Sequence, residues 1–181
     1  MLRWTLVVAA LACPQAASAT DWTSLSDQTL IFDAAGQYSI VKSDGAQQNG
    51  TQRFEVRLYV DPGRKVHVSF AHLSIDGQEQ SGGARPGEVW DLASGHNLLT
   101  LDPQTRVEST STLAGATLTT VSHFTMDGSL AVDSTDTYVV TLAPTCTFHT
   151  QSSGSVTQAS GRTVLTATLA ADGCVVAAGR P

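Results

Sequence analysis

Between Phe54 and Val60 the chain reads FEVRLYV, with Phe54, Val56, Leu58 and Val60 on one side of a two-residue period and Glu55, Arg57 and Tyr59 on the other. Successive side chains of a strand point to opposite faces, so this run predicts a strand with one buried face. The same period continues through Tyr138 to Phe148, YVVTLAPTCTF. Tyr138, Val140, Leu142, Pro144, Cys146 and Phe148 share one face, and Val139, Thr141, Ala143, Thr145 and Thr147 the other. Pro144 has no N–H to give to a ladder, so this second strand either lies at an edge or breaks there.

The first strand runs through Asp61-Pro62-Gly63-Arg64 into Val66 to Ser74, VHVSFAHLS. Cross-strand partners share a face, which excludes an even loop because it would set Leu58 against His67. A three-residue loop pairs Leu58 with Val66, Val56 with Val68 and Phe54 with Phe70. A five-residue loop keeps the same faces. Gly63 is expected to supply the left-handed position. Val66, Val68 and Phe70 are in phase, but Leu73 and Ile75 fall one step out. A β-bulge near Ala71-His72 absorbs the extra residue. His67 and His72 then share the solvent face about 16 Å apart, at ~3.3 Å per residue. Two imidazoles on one ion each need a metal distance of roughly 2 Å, so no joint metal site is predicted. His67 is expected opposite Arg57.

Elsewhere, runs of Val, Ile, Thr, Phe and Tyr alternate with Gly, Asp, Asn and Pro, and Asp-Gly occurs at Asp44, Asp76, Asp127 and Asp172. Both residues tolerate the left-handed backbone of tight hairpins. No window carries a helical period, a repeat or a linker. The expectation is one all-β domain over residues 20–181, a single antiparallel β-barrel or β-sandwich of about eight to ten strands.

The first nineteen residues read as a signal peptide: MLR, then the apolar run Trp4 to Ala12, then Ala17-Ser18-Ala19 as a small-x-small cleavage site. The run is too short to span a membrane, which takes roughly 20 residues. Ala10-Leu11-Ala12-Cys13 resembles a lipobox only weakly, because Ala10 stands where Leu or Val is usual. Cleavage after Ala19 leaves 162 residues and takes the net charge from −6 to −7. An acidic chain without a basic cluster is poorly suited to phosphate-rich partners, so nucleic acid is set aside. The expected location is periplasmic or extracellular. Cys146 and Cys174, the two cysteines left, read as one disulfide joining the middle of the Tyr138–Phe148 strand to the last strand, at Cys174 to Ala177.

Motifs for a nucleophile elbow, a zincin helix, a dinucleotide turn or a phosphate loop are absent, and no pattern asks for a cofactor or metal. The four Glu residues nominate no catalytic pair, and Asp127, Asp133 and Asp136 lack the ordered spacing of a calcium loop, so they read as solvated turn residues. The most irregular stretch is the twenty-two residues Asp76 to Asn97, DGQEQSGGARPGEVWDLASGHN, with at most one short strand near Glu88 to Leu92. Long loops are often functional. Arg85, Glu88, Trp90, Asp91 and His96 are therefore the candidate ligand-binding residues: if the stretch is a recognition surface, Trp90 presents an exposed apolar face, and otherwise Trp90 is a core plug on a short strand and the charges solvate the loop. The favoured reading is a non-enzymatic binding or accessory domain that recognises a protein or small ligand through its loops. A hydrolase with a dispersed site around residues 76–97 and a structural cell-envelope protein are the alternatives. Mass spectrometry of the exported protein should find Thr20 at the N-terminus; a lipidated chain starting at Cys13 would overturn that.

Overall fold

The computed structural model describes residues 21–83 and 85–180, and these are all β. The expected signal peptide, residues 1–19, lies outside them. Strands β1 (Gln28–Val41), β2 (Gln47–Val60) and β3 (Lys65–Ile75) form an antiparallel meander, and β4 (Gln78–Glu79) and β5 (Arg85–Asp91) pair with the far side of β3. A second meander holds β6 (His96–Asp102), β7 (Thr105–Ala114), β8 (Thr117–Met126), β9 (Ala131–Thr141), β10 (Thr147–Gln158) and β11 (Gly161–Asp172). Pairing of β1 with β11 joins the two into one antiparallel sheet whose ladder is not closed, with β5 and β6 at its two ends. β12 (Val175–Ala178) pairs with the start of β1. All four Asp-Gly pairs stand where a strand ends.

The described residues hold twelve strands, more than the expected eight to ten. Residues 76–97 supply β4, β5 and the start of β6, although the sequence suggested at most one strand there. The final strand is also split. Ala35 faces Ala170 but Ile31 faces Val175, one residue out of register, so β12 continues β11 across a bulge at Asp172–Cys174.

The β2–β3 hairpin takes the longer of the two loops that preserve the faces. Val60 opposes Val66, Leu58 opposes Val68 and Val56 opposes Phe70. Asp61 fixes this choice: its carboxylate accepts from the Lys65 amide at 2.9 Å and lies 2.8 Å from His67 Nε2. Arg64, not Gly63, takes the left-handed position, at φ 62°. The shift by two residues puts His67 opposite Tyr59 rather than Arg57. The bulge falls where the phase break predicts it. Arg53 pairs with Ser74 and Glu55 with Ala71, so Phe54 alone opposes His72 and Leu73.

Residues 138–148 break at Pro144, as its missing N–H requires, and become the end of β9 and the start of β10. On either side of the break the predicted faces hold, with Tyr138, Val140, Leu142 and Phe148 buried, whereas Pro144 itself is exposed in the turn. The core lies at the end of the sheet that carries this turn, where Trp22 packs with Leu25, Leu30 and Val60 and donates its indole N–H to the Ala116 carbonyl at 3.3 Å. A disulfide between Cys146 and Cys174, with Cα atoms 5.7 Å apart, joins the β9–β10 turn to the bulge before β12. It thus links two irregular segments, not the middle of a strand. The double variant Cys146→Ala/Cys174→Ala should lose roughly 3–4 kcal/mol in urea unfolding, the chain-entropy value for a loop of this size. An unchanged midpoint would show that the link contributes nothing.

Candidate functional site

Pairing with β3 sets Trp90 opposite Val66, and the strand period then puts Trp90 and Glu88 on the core side of β5. Trp90 is 0% exposed, its ring 4.9 Å from that of Tyr138. The expectation of an exposed apolar face is therefore corrected: this indole is a core residue. Asp91 turns the other way and closes the following turn, accepting from the amides of Ala93 at 2.9 Å and Ser94 at 3.1 Å. Those two amides hold its carboxyl below the usual range. His96 lies on the outer face with Nε2 3.6 Å from Glu108 Oε1. The backbone of Arg85 pairs with Phe70, and its side chain lies outside the described part of the structure. Of the four candidates whose side chains are described, only Glu88 and Trp90 come together on the core side.

Glu88 is 6% exposed and accepts a short hydrogen bond from the Ser122 hydroxyl on β8. The Tyr138 hydroxyl and the Trp90 N–H also lie near its carboxyl and favour the charged form. The Trp90 N–H closes no full hydrogen bond, and neither does the buried Thr150 hydroxyl on β10. Burial dominates and pushes the Glu88 carboxyl above its ordinary value, with Asp136 on β9 adding to the rise. Burial raises Asp136 as well, against hydrogen bonds from Ser152 and Ser134. Asp136 was read as a turn residue. Its signal was legible, since Tyr138, Val140 and Leu142 define a buried face and Asp136 lies two residues upstream on it.

The outer surface offers more room for a ligand. Among the described residues, four other than glycine have left-handed backbones: Asp27, Arg64, Asp76 and His72. Three sit in turns, whereas His72, at φ 46°, lies inside β3. For an L-residue this conformation costs roughly 1–2 kcal/mol, and it often marks a site that uses the strain. Two clefts meet at His72. One, of about 660 Å³, is lined by Ile31, Asp33, Arg53, Glu55, Glu79 and Val175. Arg53 grips Asp33 through both Nε and Nη2 and holds its carboxyl below the usual range. Glu55 pairs with Arg57 at 2.5 Å. The second cleft, about 110 Å³, is apolar and lies on the core side of β2 and β3, lined by Phe54, Phe70 and Leu73 and by Gln80, Gly82 and Gly83. The two phenyl rings meet edge to face at 5.7 Å. None of the residues lining either cleft carries a hydroxyl or a free thiol.

A third cleft, about 630 Å³, crosses β2, β1, β11 and β10 and is lined by Gln37, Asn49, Gln151, Thr166 and similar uncharged side chains. These are ordinary solvated residues of an outer sheet face, and nothing there is strained or enclosed. No family model, curated protein or solved structure matches the chain. The geometry around His72 thus carries the functional argument. If the left-handed backbone there is enforced by the bulge, His72→Val should unfold roughly 1–2 kcal/mol more easily than His72→Gly, because only glycine is free of the penalty. Equal urea midpoints for the two variants would show that the backbone at residue 72 relaxes without cost.

Proposed function

We propose that the protein is an exported, non-enzymatic binding domain that engages a protein or small ligand at the paired clefts around His72. In this reading residues 1–19 are removed on export, and the disulfide fits an oxidising compartment. The domain is a barrel whose last gap, between β5 and β6, is bridged by side chains such as Asn97, which donates to the Val89 carbonyl at 2.6 Å. The observation that carries the reading is that His72 lines both an apolar pocket on Phe54 and Phe70 and a charged cleft. A concave apolar surface beside a few oriented polar groups is the usual form of a ligand site. The lack of a hydroxyl or thiol in the lining speaks against a covalent hydrolase of the serine or cysteine type. The turns joining the strands are short, so recognition rests on strand faces and the 80–83 segment more than on loops.

A structural role in the cell envelope has one observation of its own. Leu98 on β6 is 60% exposed and Val175 on β12 65%, each on a strand with a free side. Exposed apolar edges are surfaces on which another chain can pair.

The two readings separate experimentally. Gly83 lines the small pocket, and a Cβ added there meets nothing within 4 Å, so Gly83→Trp adds a bulky ring at the rim of the pocket without a clash at its Cβ. A partner or ligand captured by the wild-type protein from an exported-protein extract should bind Gly83→Trp at least about tenfold more weakly, a loss of roughly 1.4 kcal/mol. Equal affinity for both would put recognition elsewhere, with the free edges next in line.

A further inference from the structure

The two ends of the sheet meet without a ladder. Among the described residues β5 has strand partners only on its β3 side, and β6 only on its β7 side. What spans the seam is a set of side chains: Asn97 to the Val89 carbonyl, Glu88 to Ser122, and Trp90 against Tyr138. Two of these three belong to the core face of β5, and one of the two is a carboxyl group. We propose that Glu88 is a latch, holding β5 to β8 and β9 while it carries its proton and releasing the seam as the proton is lost.

The geometry around the carboxyl gives the direction. β8 presents the Ser122 hydroxyl, β9 presents Asp136 and Tyr138, and β5 itself presents Trp90. The titratable groups set against Glu88 are thus a second acid and a phenol, and none of the ion pairs among the described residues includes Glu88 or Asp136. Protonated, Glu88 is a neutral hydrogen-bonding group in a polar layer. Ionised, it is a buried anion facing another acid, with hydroxyl and indole donors but no cation to balance it. Opening the seam gives that anion to water.

The sign follows by linkage. With the seam open, Glu88 titrates near its ordinary value of 4.5, and closure raises it. Below the ordinary value both forms hold the proton and the seam has its full stability. Above it the open form releases the proton first, so opening becomes easier by up to about tenfold per pH unit. That gain stops once the closed form also loses its proton. Asp136, raised in the same way, adds to the slope in the same direction.

Hydrogen exchange on the intact chain from about pH 4 to pH 8, with the intrinsic pH dependence of amide exchange divided out, reads this equilibrium strand by strand. The opening constant of β5 and β6 amides should climb by up to about tenfold per unit for each of the two acids over part of that range, while β1 and β10 stay flat. In Glu88→Gln, which keeps the shape and the Ser122 contact without a titrating proton, the slope should fall to whatever Asp136 contributes. A flat wild-type profile, a slope shared equally by β1 and β10, or an undiminished slope in Glu88→Gln would each overturn the latch. Should Glu88→Gln fail to fold, Asp136→Asn decides. Removing the facing acid should end the rise at lower pH, and an unmoved profile would equally sink the proposal.

Discussion

Trp90 lies against Tyr138 on the core side of the sheet, and through that contact an end strand is held onto the middle of the sheet it terminates. The contact extends into a row of rings, because Tyr138 is 6.3 Å from Phe148 and Phe148 5.3 Å from Phe32. Four strands, β5, β9, β10 and β1, are thereby tied by side chains as well as by the ladder that runs from β5 round to β9. Aromatic pairs contribute ~0.5–1.5 kcal/mol each beyond the area they bury. A flat sheet of this order would leave Trp90 and Tyr138 many strands apart, so the packing requires strong curvature. The backbone supplies it at glycines. A Cβ on Gly36 would sit 1.7 Å from the Thr168 carbonyl oxygen, and one on Gly154 would sit 2.6 Å from Ser134 Cβ. The strands can close in at these points only because nothing projects from them.

The same curvature decides which polar groups go inside. Toward the disulfide end the enclosed face is apolar and holds Trp22, Leu30, Val60 and Val66. Further along the strands it becomes polar, with Ser122, Thr120 and Ser109 buried and Asp136 half-buried. A buried hydroxyl is tolerable where a partner is in reach, and a carboxyl where it can stay neutral. Glu88 stands where the two zones meet, one strand period from Trp90. Replacing it by a leucine would leave the Ser122 hydroxyl without its partner, so the polar layer is interdependent in a way the apolar end is not.

Much of this was legible in the two-residue period. The period located the inward faces of residues 54–60 and 138–148, the break at Pro144 and the bulge at His72, because each depends on which residues must reach a core. Loop length in the β2–β3 hairpin was not legible. Three and five residues bury the same faces, and the choice falls to hydrogen bonds that Asp61 makes with Lys65 and His67. Trp90 was misjudged for a related reason. Pro86 and Gly87 interrupt the alternation of β5, so its seven residues looked like loop, and its inner face is set by pairing with β3 rather than by its own pattern. Asp136 was missed because an acid beside a turn suggested solvent, although its place on the Tyr138 face argued for burial. The clefts at His72 have no signature in sequence, since they arise where strands from both ends of the first meander meet the bulge before β12.

The strain at His72 has a structural cause before any functional one. The hydrophobic phase of β3 changes between Phe70 and Leu73, and the bulge that absorbs the change needs one residue in the left-handed region. Glycine would meet that need at no steric cost, as it does in many such bulges. The backbone therefore explains the bulge but not the imidazole. Histidine tolerates the conformation better than most side chains, yet it still bears a penalty on the order of 1 kcal/mol. His72 is also the one residue that lines both the apolar pocket and the charged cleft. The residue the two clefts share thus carries a side chain that the fold by itself does not require.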